Sequence, residues 1–346
     1  MTEISPVRAG IIGAGRFGRQ HASLLDMATG VTIVAVCDSD FDAALAVSGP
    51  RGARAYEHWD EMLEAETLDA VWVCTPPLRH AEPAIAALER RVHVYLEKPI
   101  ARTLADAERI VAAAACTEAI CVVGYQWRAL EFLDHIRSVL AHRPIAMLVA
   151  RNYGPVVPSA WFLDRGQGGG QILERGSHYI DLARAIAGEI VAVAAAGATI
   201  PLARHELTRR DINDAVAMTL HFETGAIATV NLAWTRECAP KQFSVDLLAG
   251  DASLLLDLGP EECRLSGVIA GHPQAAESSD PLTRSVTRFV EIARERDRGR
   301  AFSSPADALG TLEVALACDR ALDECRTVPV RTAQVPDLLV GSDVPG

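Results

Sequence analysis

The sequence predicts an α/β protein in two parts. A doubly wound domain on a parallel sheet comes first, and a second α/β domain on mostly antiparallel strands follows. Three observations predict this. The first third of the chain alternates short, unbroken Val/Ile-rich runs with helical patterns. Beyond Gly124 the alternation stops and strand-type runs follow one another across hairpin-type turns. The length of 346 residues suits two domains at roughly 100–200 residues each.

The apolar runs of the first part are Ala9–Ile12, Val31–Cys37, Ala70–Cys74, Val92–Leu96 and Ile120–Val123. Continuous runs of this kind are expected of strands covered on both faces of a parallel sheet. Helical patterns lie between them at Phe17–Met27, Phe41–Val47, Trp59–Ala65, Pro83–Arg90 and Leu104–Ala115. Strand–helix–strand alternation reads as a doubly wound sheet. The boundary is set at Gly124, giving domains 1–124 and 125–346, with the last helix able to pack back on the first domain.

The second part is read as a helix at Trp127–Leu140, an extended run at Ile145–Asn152 and a Pro/Gly-rich loop at Gly154–Gly170. A helix at Ile172–Ala187 stops at Gly188, a suitable C-cap residue. Strands follow at Val191–Thr199, Ala215–Phe222, Ala226–Ala233, Phe243–Ala249 and Ser253–Asp257, with a hairpin turn at Glu223-Thr224-Gly225. Gly267–Pro281 reads as loop. Helices at Leu282–Arg296 and Pro305–Glu324 close the chain, the second with Ser304 as N-cap and Pro305 at N1.

Composition narrows the function. Hydrophobic residues make up 49% and charged residues 23%, the balance of a globular protein, not a disordered chain. A net charge of −12 argues against a nucleic-acid backbone or an anionic membrane surface as partner. It also gives no long-range attraction to an anionic substrate, which leans towards a neutral or cationic one. The eight cysteines include no C-x-x-C pair, and several sit inside apolar runs as small hydrophobes. No apolar segment is long enough for a membrane span, and no signal-peptide pattern opens the chain, so a cytoplasmic protein is expected.

Four motifs carry the chemistry. Gly13-Ala14-Gly15-Arg16-Phe17-Gly18 follows a strand and opens a helix. Gly13 allows the tight turn, Gly15 lets a pyrophosphate approach the backbone, and Gly18 lets helix and sheet pack closely. The helix start supplies free N–H groups for phosphate. Asp38 lies 20 residues beyond Gly18, at the end of the second strand, where a carboxylate binds a ribose 2′-hydroxyl. It would repel a 2′-phosphate, which favours NAD over NADP. Thr75-Pro76 ends a strand, with His80 shortly after, and Glu97-Lys98-Pro99 follows the next strand at the same sheet edge. A Lys there can stabilise negative charge on a substrate oxygen. Last, Glu174, His178 and Asp181 stand at i, i+4 and i+7, one stripe of a helix, where a carboxylate can orient a general-base His.

Together with Gly124-Tyr125-Gln126-Trp127-Arg128, the triple glycine at Gly168–Gly170 and Phe222-Glu223-Thr224-Gly225-Ala226, these motifs resemble the Gfo/Idh/MocA oxidoreductases along nearly the whole chain. The resemblance implies an N-terminal Rossmann domain and a C-terminal α/β domain with a large, open, mostly antiparallel sheet. It also implies an active site between the domains and a homodimer or homotetramer built through that sheet. Lys98 would bind and polarise the reacting oxygen, and His178 would be the general acid/base. Glu174, where many members have Asp, would bind substrate and tune the pair. A cis Lys98–Pro99 bond is also implied. Gly13, Gly15, Arg16, Phe17, Gly18, Asp38, Thr75, Pro76, His80, Glu97, Lys98 and Gln126 are candidates for the cofactor site. Arg128, Tyr153 and Trp161 join Lys98, Glu174 and His178 as candidates for the substrate site.

The expected activity is NAD(H)-dependent hydride transfer to or from a hydroxyl or keto carbon of a sugar, sugar derivative or cyclitol, without a metal. The same motifs leave two alternatives. One is a lyase or glycosidase that uses NAD redox transiently. The other is a catalytically silent NAD-binding sensor.

Overall fold

A computed structural model of the chain describes residues 6–155, 162–199, 212–235 and 241–330. The chain opens with β1 (Val7–Ile12), α1 (Arg16–Met27), β2 (Val31–Cys37), α2 (Phe41–Ser48), β3 (Arg54–Tyr56), α3 (Trp59–Ala65), β4 (Ala70–Val73), α4 (Ala81–Glu89), β5 (His93–Leu96), α5 (Leu104–Ala115) and β6 (Cys121–Val123). After a 3₁₀ turn at Gln126–Ala129 come α6 (Leu133–Leu140), β7 (Ile145–Pro155) and the single turn α7 (Arg165–Gly168). A π-helical turn (Ile172–Gly176) leads into α8 (Ser177–Ala187), then β8 (Ile190–Ala198), β9 (Ala215–Phe222), β10 (Ile227–Thr235), β11 (Gln242–Ala249), β12 (Ala252–Leu258), β13 (Cys263–Ile269) and β14 (His272–Ser278). The chain closes with α9 (Pro281–Glu295), α10 (Pro305–Glu324) and β15 (Val328–Pro329).

Two compact units divide it. The first ends at Ala129 and regains the chain at Pro281–Leu309; the second takes Leu130–Asp280 and the chain from Gly310 on. In the first unit six strands run parallel in the order β3-β2-β1-β4-β5-β6. This is the dinucleotide-binding order, with its switch point between β1 and β4. β4 and β5 are buried at every position, which explains their unbroken apolar runs. The segment that returns to this unit brings α9 into its core. Phe289 packs edge-on against Trp72 and Tyr95, at ring-centre distances of 5.2 and 5.5 Å. The Tyr95 hydroxyl and Ser285 Oγ lie 2.8 Å apart. Only the first residues of α10, Pro305–Leu309, belong to this unit.

The second unit holds a nine-stranded sheet in the order β14-β13-β12-β11-β7-β10-β9-β8-β15. β7 and β10 run parallel and the other neighbours antiparallel. Strict alternation marks β12, where Ala252, Leu254, Leu256 and Leu258 are buried and Ser253, Leu255 and Asp257 exposed. One face is therefore packed and the other open. Among the described residues no helix is long and apolar enough to cross a membrane.

Three expectations change. Gly267–Pro281 is not loop: β13 and β14 pair antiparallel through it, with Ile269 opposite His272. The two-residue turn is Ala270-Gly271, with φ +50° and +78°, a hairpin geometry that Ala seldom adopts and that its presence disguises. β14 is also an edge strand carrying Pro273, which weakens its strand signal. The helix read at Trp127–Leu140 is broken into the 3₁₀ turn and α6, because the chain passes from one unit to the other after Ala129. The three-residue edge strand β3 left no apolar run to read. The Ser304 cap is present: Ser304 Oγ accepts from the Asp307 N–H at 3.1 Å, and Asp307 Oδ2 accepts from the Ser304 N–H at 3.1 Å.

Candidate active site

The first unit presents the glycine loop at the switch point. Gly13 has φ +100°, and a Cβ there would lie 2.7 Å from the Cys74 carbonyl carbon, so the loop after β1 touches the loop after β4. A Cβ on Gly18 would lie 1.8 Å from the Gly13 carbonyl oxygen; only glycine permits α1 to start so close. At Gly15 a Cβ would meet nothing within 4 Å. That open cradle borders the N-terminus of α1, whose first turn has no side-chain cap. These residues fit the pyrophosphate of a dinucleotide.

Asp38 stands just after β2. Its Oδ2 accepts from the Ala14 N–H at 2.6 Å and its Oδ1 from the Asp40 N–H at 2.9 Å. The carboxylate thus pins the glycine loop and is held in one orientation. A carboxylate has about four lone-pair sites, so two remain for ribose hydroxyls.

The Glu97-Lys98-Pro99 turn lies directly beyond β5 and is not a surface ion pair: Glu97 is 6% and Lys98 8% exposed. The Lys98–Pro99 bond is cis. Lys98 Nζ lies 5.8 Å from the centre of the Phe17 ring, so the motif Lys and the fingerprint Phe meet. Glu97 faces inward. Its Oε1 lies 2.6 Å from His21 Nε2 on α1, and its Oε2 accepts from the Lys98 N–H at 3.1 Å. Burial alone would raise the Glu97 pKa. The hydrogen bond from His21 and the charges of His21 and Lys98 outweigh it and hold the carboxyl below its ordinary value.

Thr75 and Pro76 begin the loop after β4, and the Thr75 hydroxyl donates to the Arg79 carbonyl at 3.1 Å. His80 is fully buried beneath this loop, with both ring nitrogens facing backbone carbonyls. Gln126 and Arg128 lie in the 3₁₀ turn, partly exposed. Arg128 pairs with Asp307 at 3.8 Å. Arg16 is exposed at the start of α1.

In the second unit the triple glycine supplies two positive-φ residues, Gly169 and Gly170 (φ +76° and +67°), and the chain then winds as a π-helix through Glu174 before α8 begins. π-turns of this kind are frequent at functional sites. Glu174 and His178 are both partly exposed. Asp181 follows His178 at i, i+3 on α8, but it is buried where Glu174 and His178 are partly exposed. It is 1% exposed and accepts from Thr311 Oγ1 at 3.0 Å, within a chain that continues through Arg184 to Glu189. The π-turn shifts Glu174 relative to α8, while His178 and Asp181 keep regular i, i+3 spacing.

Tyr153 also separates from them. On β7 the buried residues Leu148, Ala150, Asn152 and Gly154 face the helices, and Arg175 of the π-turn donates to Asn152 Oδ1. The pleat turns Tyr153 to the open face of the sheet. Trp161 lies outside the described residues. Sequence reasoning missed Arg175 and Asn152. Arg175 also donates to Gln171 Oε1 at 3.3 Å, and burial lowers its pKa to about 10. It missed one compositional signal too: lysine occurs only twice in the sequence, at 98 and 241.

The described cysteines are free thiols, and Cys37, Cys121 and Cys263 are pushed up to about 12 by burial. They remain protonated and unreactive.

A parallel sheet in this order, with a glycine cradle at its switch point and a carboxylate after the second strand, defines a dinucleotide-binding protein. Family comparison agrees. Residues 7–125 match the model described as oxidoreductase family, NAD-binding Rossmann fold, and residues 144–251 match the C-terminal domain model of the same group. The chain belongs to the Gfo/Idh/MocA oxidoreductases. It is 28% identical to a myo-inositol 2-dehydrogenase of Thermotoga maritima, over 65% of this chain and 68% of that one. It is 26% identical to a D-apiose dehydrogenase of Paraburkholderia graminis, over 96% and 92%. Among solved structures, an oxidoreductase domain protein from Kribbella flavida superposes with a TM-score of 0.83 at 22% identity, over 94% of this chain and 99% of that one. A levoglucosan dehydrogenase in complex with NADH and levoglucosan gives 0.81 at 18% identity, over 95% and 100%.

Proposed function

We propose that the protein is an NAD(H)-dependent dehydrogenase or reductase that acts on a CH–OH or keto carbon of a sugar, sugar derivative or cyclitol. What carries this reading is Lys98, a buried lysine in a chain with two, beside Phe17 of the cofactor loop. The relatives act, by name, on myo-inositol, D-apiose and 1,5-anhydro-D-fructose, which supports a polyhydroxylated substrate.

When bound, NAD supplies the hydride acceptor or donor. Gly13, Gly15 and Gly18 shape its cradle, and Asp38 accepts from its ribose hydroxyls. Lys98 donates a hydrogen bond to the reacting oxygen and stabilises charge there. In the oxidative direction His178 takes the hydroxyl proton, and in the reductive direction it returns it. Glu174 accepts from a substrate hydroxyl and tunes His178. Gln126, Thr75 and Pro76 would help hold the cofactor, and Arg128 the substrate.

The test is a polyol and sugar panel with NAD⁺ and NADP⁺ in parallel, read by reduced-nicotinamide absorbance. NADH formation with at least one polyol is expected. No formation with any, alongside NAD⁺ binding, would favour the sensor. Cofactor choice has its own expected outcome. Titration calorimetry should find NAD⁺ tighter than NADP⁺ by about tenfold or more, the effect of setting a 2′-phosphate against Asp38. Asp38→Ser should narrow that gap. Tighter NADP⁺ binding by the unaltered protein would refute the role of Asp38.

The open face of the nine-stranded sheet supports self-association as a dimer or tetramer. Met147, Leu248, Ser253 and Val268 stand in one cross-strand row on β7, β11, β12 and β13, and Leu255 is two residues along. The four large apolar side chains Met147, Leu248, Leu255 and Val268 are exposed. Leu255→Glu is expected to shift the mass measured by light scattering towards the monomer. A monomeric unaltered protein would remove the proposal.

A further inference from the structure

We propose that His80 is a positioning residue for Lys98, acting through the backbone of the cis turn. The inference rests on the reading of Lys98 as the group that meets the reacting oxygen. His80 stands at the start of α4, fully buried. Its Nε2 lies 2.8 Å from the Thr75 carbonyl oxygen, in the loop after β4. Its Nδ1 lies 3.0 Å from the Pro99 carbonyl oxygen and 3.3 Å from that of Ile100. One ring therefore lies between the loops that follow β4 and β5.

The turn needs such a tie. Proline has no N–H to give, so Pro99 can be fixed only through its carbonyl. On the other side of Lys98, Glu97 Oε2 accepts the Lys98 N–H while His21 holds Glu97 from α1. The backbone of Lys98 is thereby pinned before and after its Cα, with Nζ 5.8 Å from the centre of the Phe17 ring. A neutral imidazole carries one N–H and can donate to only one of the two loops. The bond that positions the turn is Nδ1–H to the Pro99 carbonyl, and a ring carrying only that proton makes no hydrogen bond to Thr75. His80 has no exposed edge, so it holds the site from beneath and does not touch the cofactor.

The two ring nitrogens can be tested separately. An Asn amide nitrogen occupies the place of Nδ1, and a Gln amide nitrogen that of Nε2. Lysine provides a clean readout, because the only other one, Lys241, is exposed and serves as internal reference. The folded full-length chain is labelled with trace acetic anhydride, and acetylation of Lys98 relative to Lys241 is counted by peptide mass spectrometry. Reactivity of a buried amine follows its exposure and protonation, so His80→Gln should change the ratio by about threefold or more while His80→Asn leaves it near that of the unaltered protein. His80→Ala should behave as His80→Gln. Should the Ala variant fail to fold, the Gln–Asn comparison decides alone. An unchanged ratio in His80→Gln, or an equal change in His80→Asn, overturns the proposal.

Labelling needs no substrate, so this result is independent of turnover. If Lys98→Met kept full turnover, the catalytic reading would fall and the positional tie would stand as a structural one. An unchanged labelling ratio with a dead Lys98→Met variant would do the reverse.

Discussion

Lys98→Met is expected to lower kcat for polyol oxidation by about 10²–10³-fold, the usual loss when one donor to a developing oxyanion is removed. NAD⁺ affinity should stay within about threefold, because the cradle and Asp38 are untouched. Methionine keeps the length and bulk of the side chain and removes only the ammonium, so packing against Phe17 survives. The effect is expected to be large because Lys98 is almost wholly buried, where its charge is less screened than at the surface. Steady-state rates with a substrate identified from the panel, set beside calorimetric NAD⁺ binding, check it. Turnover within twofold of the unaltered protein would remove Lys98 from the chemistry.

His178→Ala should cost about 10²–10⁴-fold in kcat, the range for loss of a general acid/base. The more telling result is the shape of the pH profile. In the oxidative direction the base must be unprotonated to accept the hydroxyl proton, so the rate should fall at low pH. The Ala variant should lose that limb and respond less to pH. A variant that keeps the limb would assign the base elsewhere. Glu174, one turn back on the π-helical segment, would be the group to examine next.

Much of the first unit was legible because its strands are covered on both faces. β1, β2, β4, β5 and β6 read as apolar runs, and the glycine spacing that opens α1 has a steric reason at both Gly13 and Gly18. What failed lies at edges and joints. β3 and β14 are edge strands with little apolar sequence, and Ala270 hides a hairpin turn. The break between Ala129 and Leu133 follows from the passage between units, which no local pattern records. Helical spacing grouped Asp181 with Glu174 and His178, but Thr311, 130 residues away in sequence, claims Asp181 in the interior, and the π-turn shifts Glu174. Tyr153 and Asn152 face opposite sides of β7, as period-two alternation already indicates. The inward turn of Glu97 towards His21 joins residues 76 apart and has no local signature.

Hydride transfer between a substrate CH–OH carbon and NAD is tested most directly with the most active polyol of the panel carrying deuterium at the oxidised carbon, followed by mass spectrometry of the nicotinamide after turnover. NADH is expected to accumulate in step with oxidised product and to carry the substrate's deuterium. Substrate consumption with NAD⁺ left unchanged, and the deuterium retained in the product, would contradict it and point to a redox-neutral reaction on the same fold.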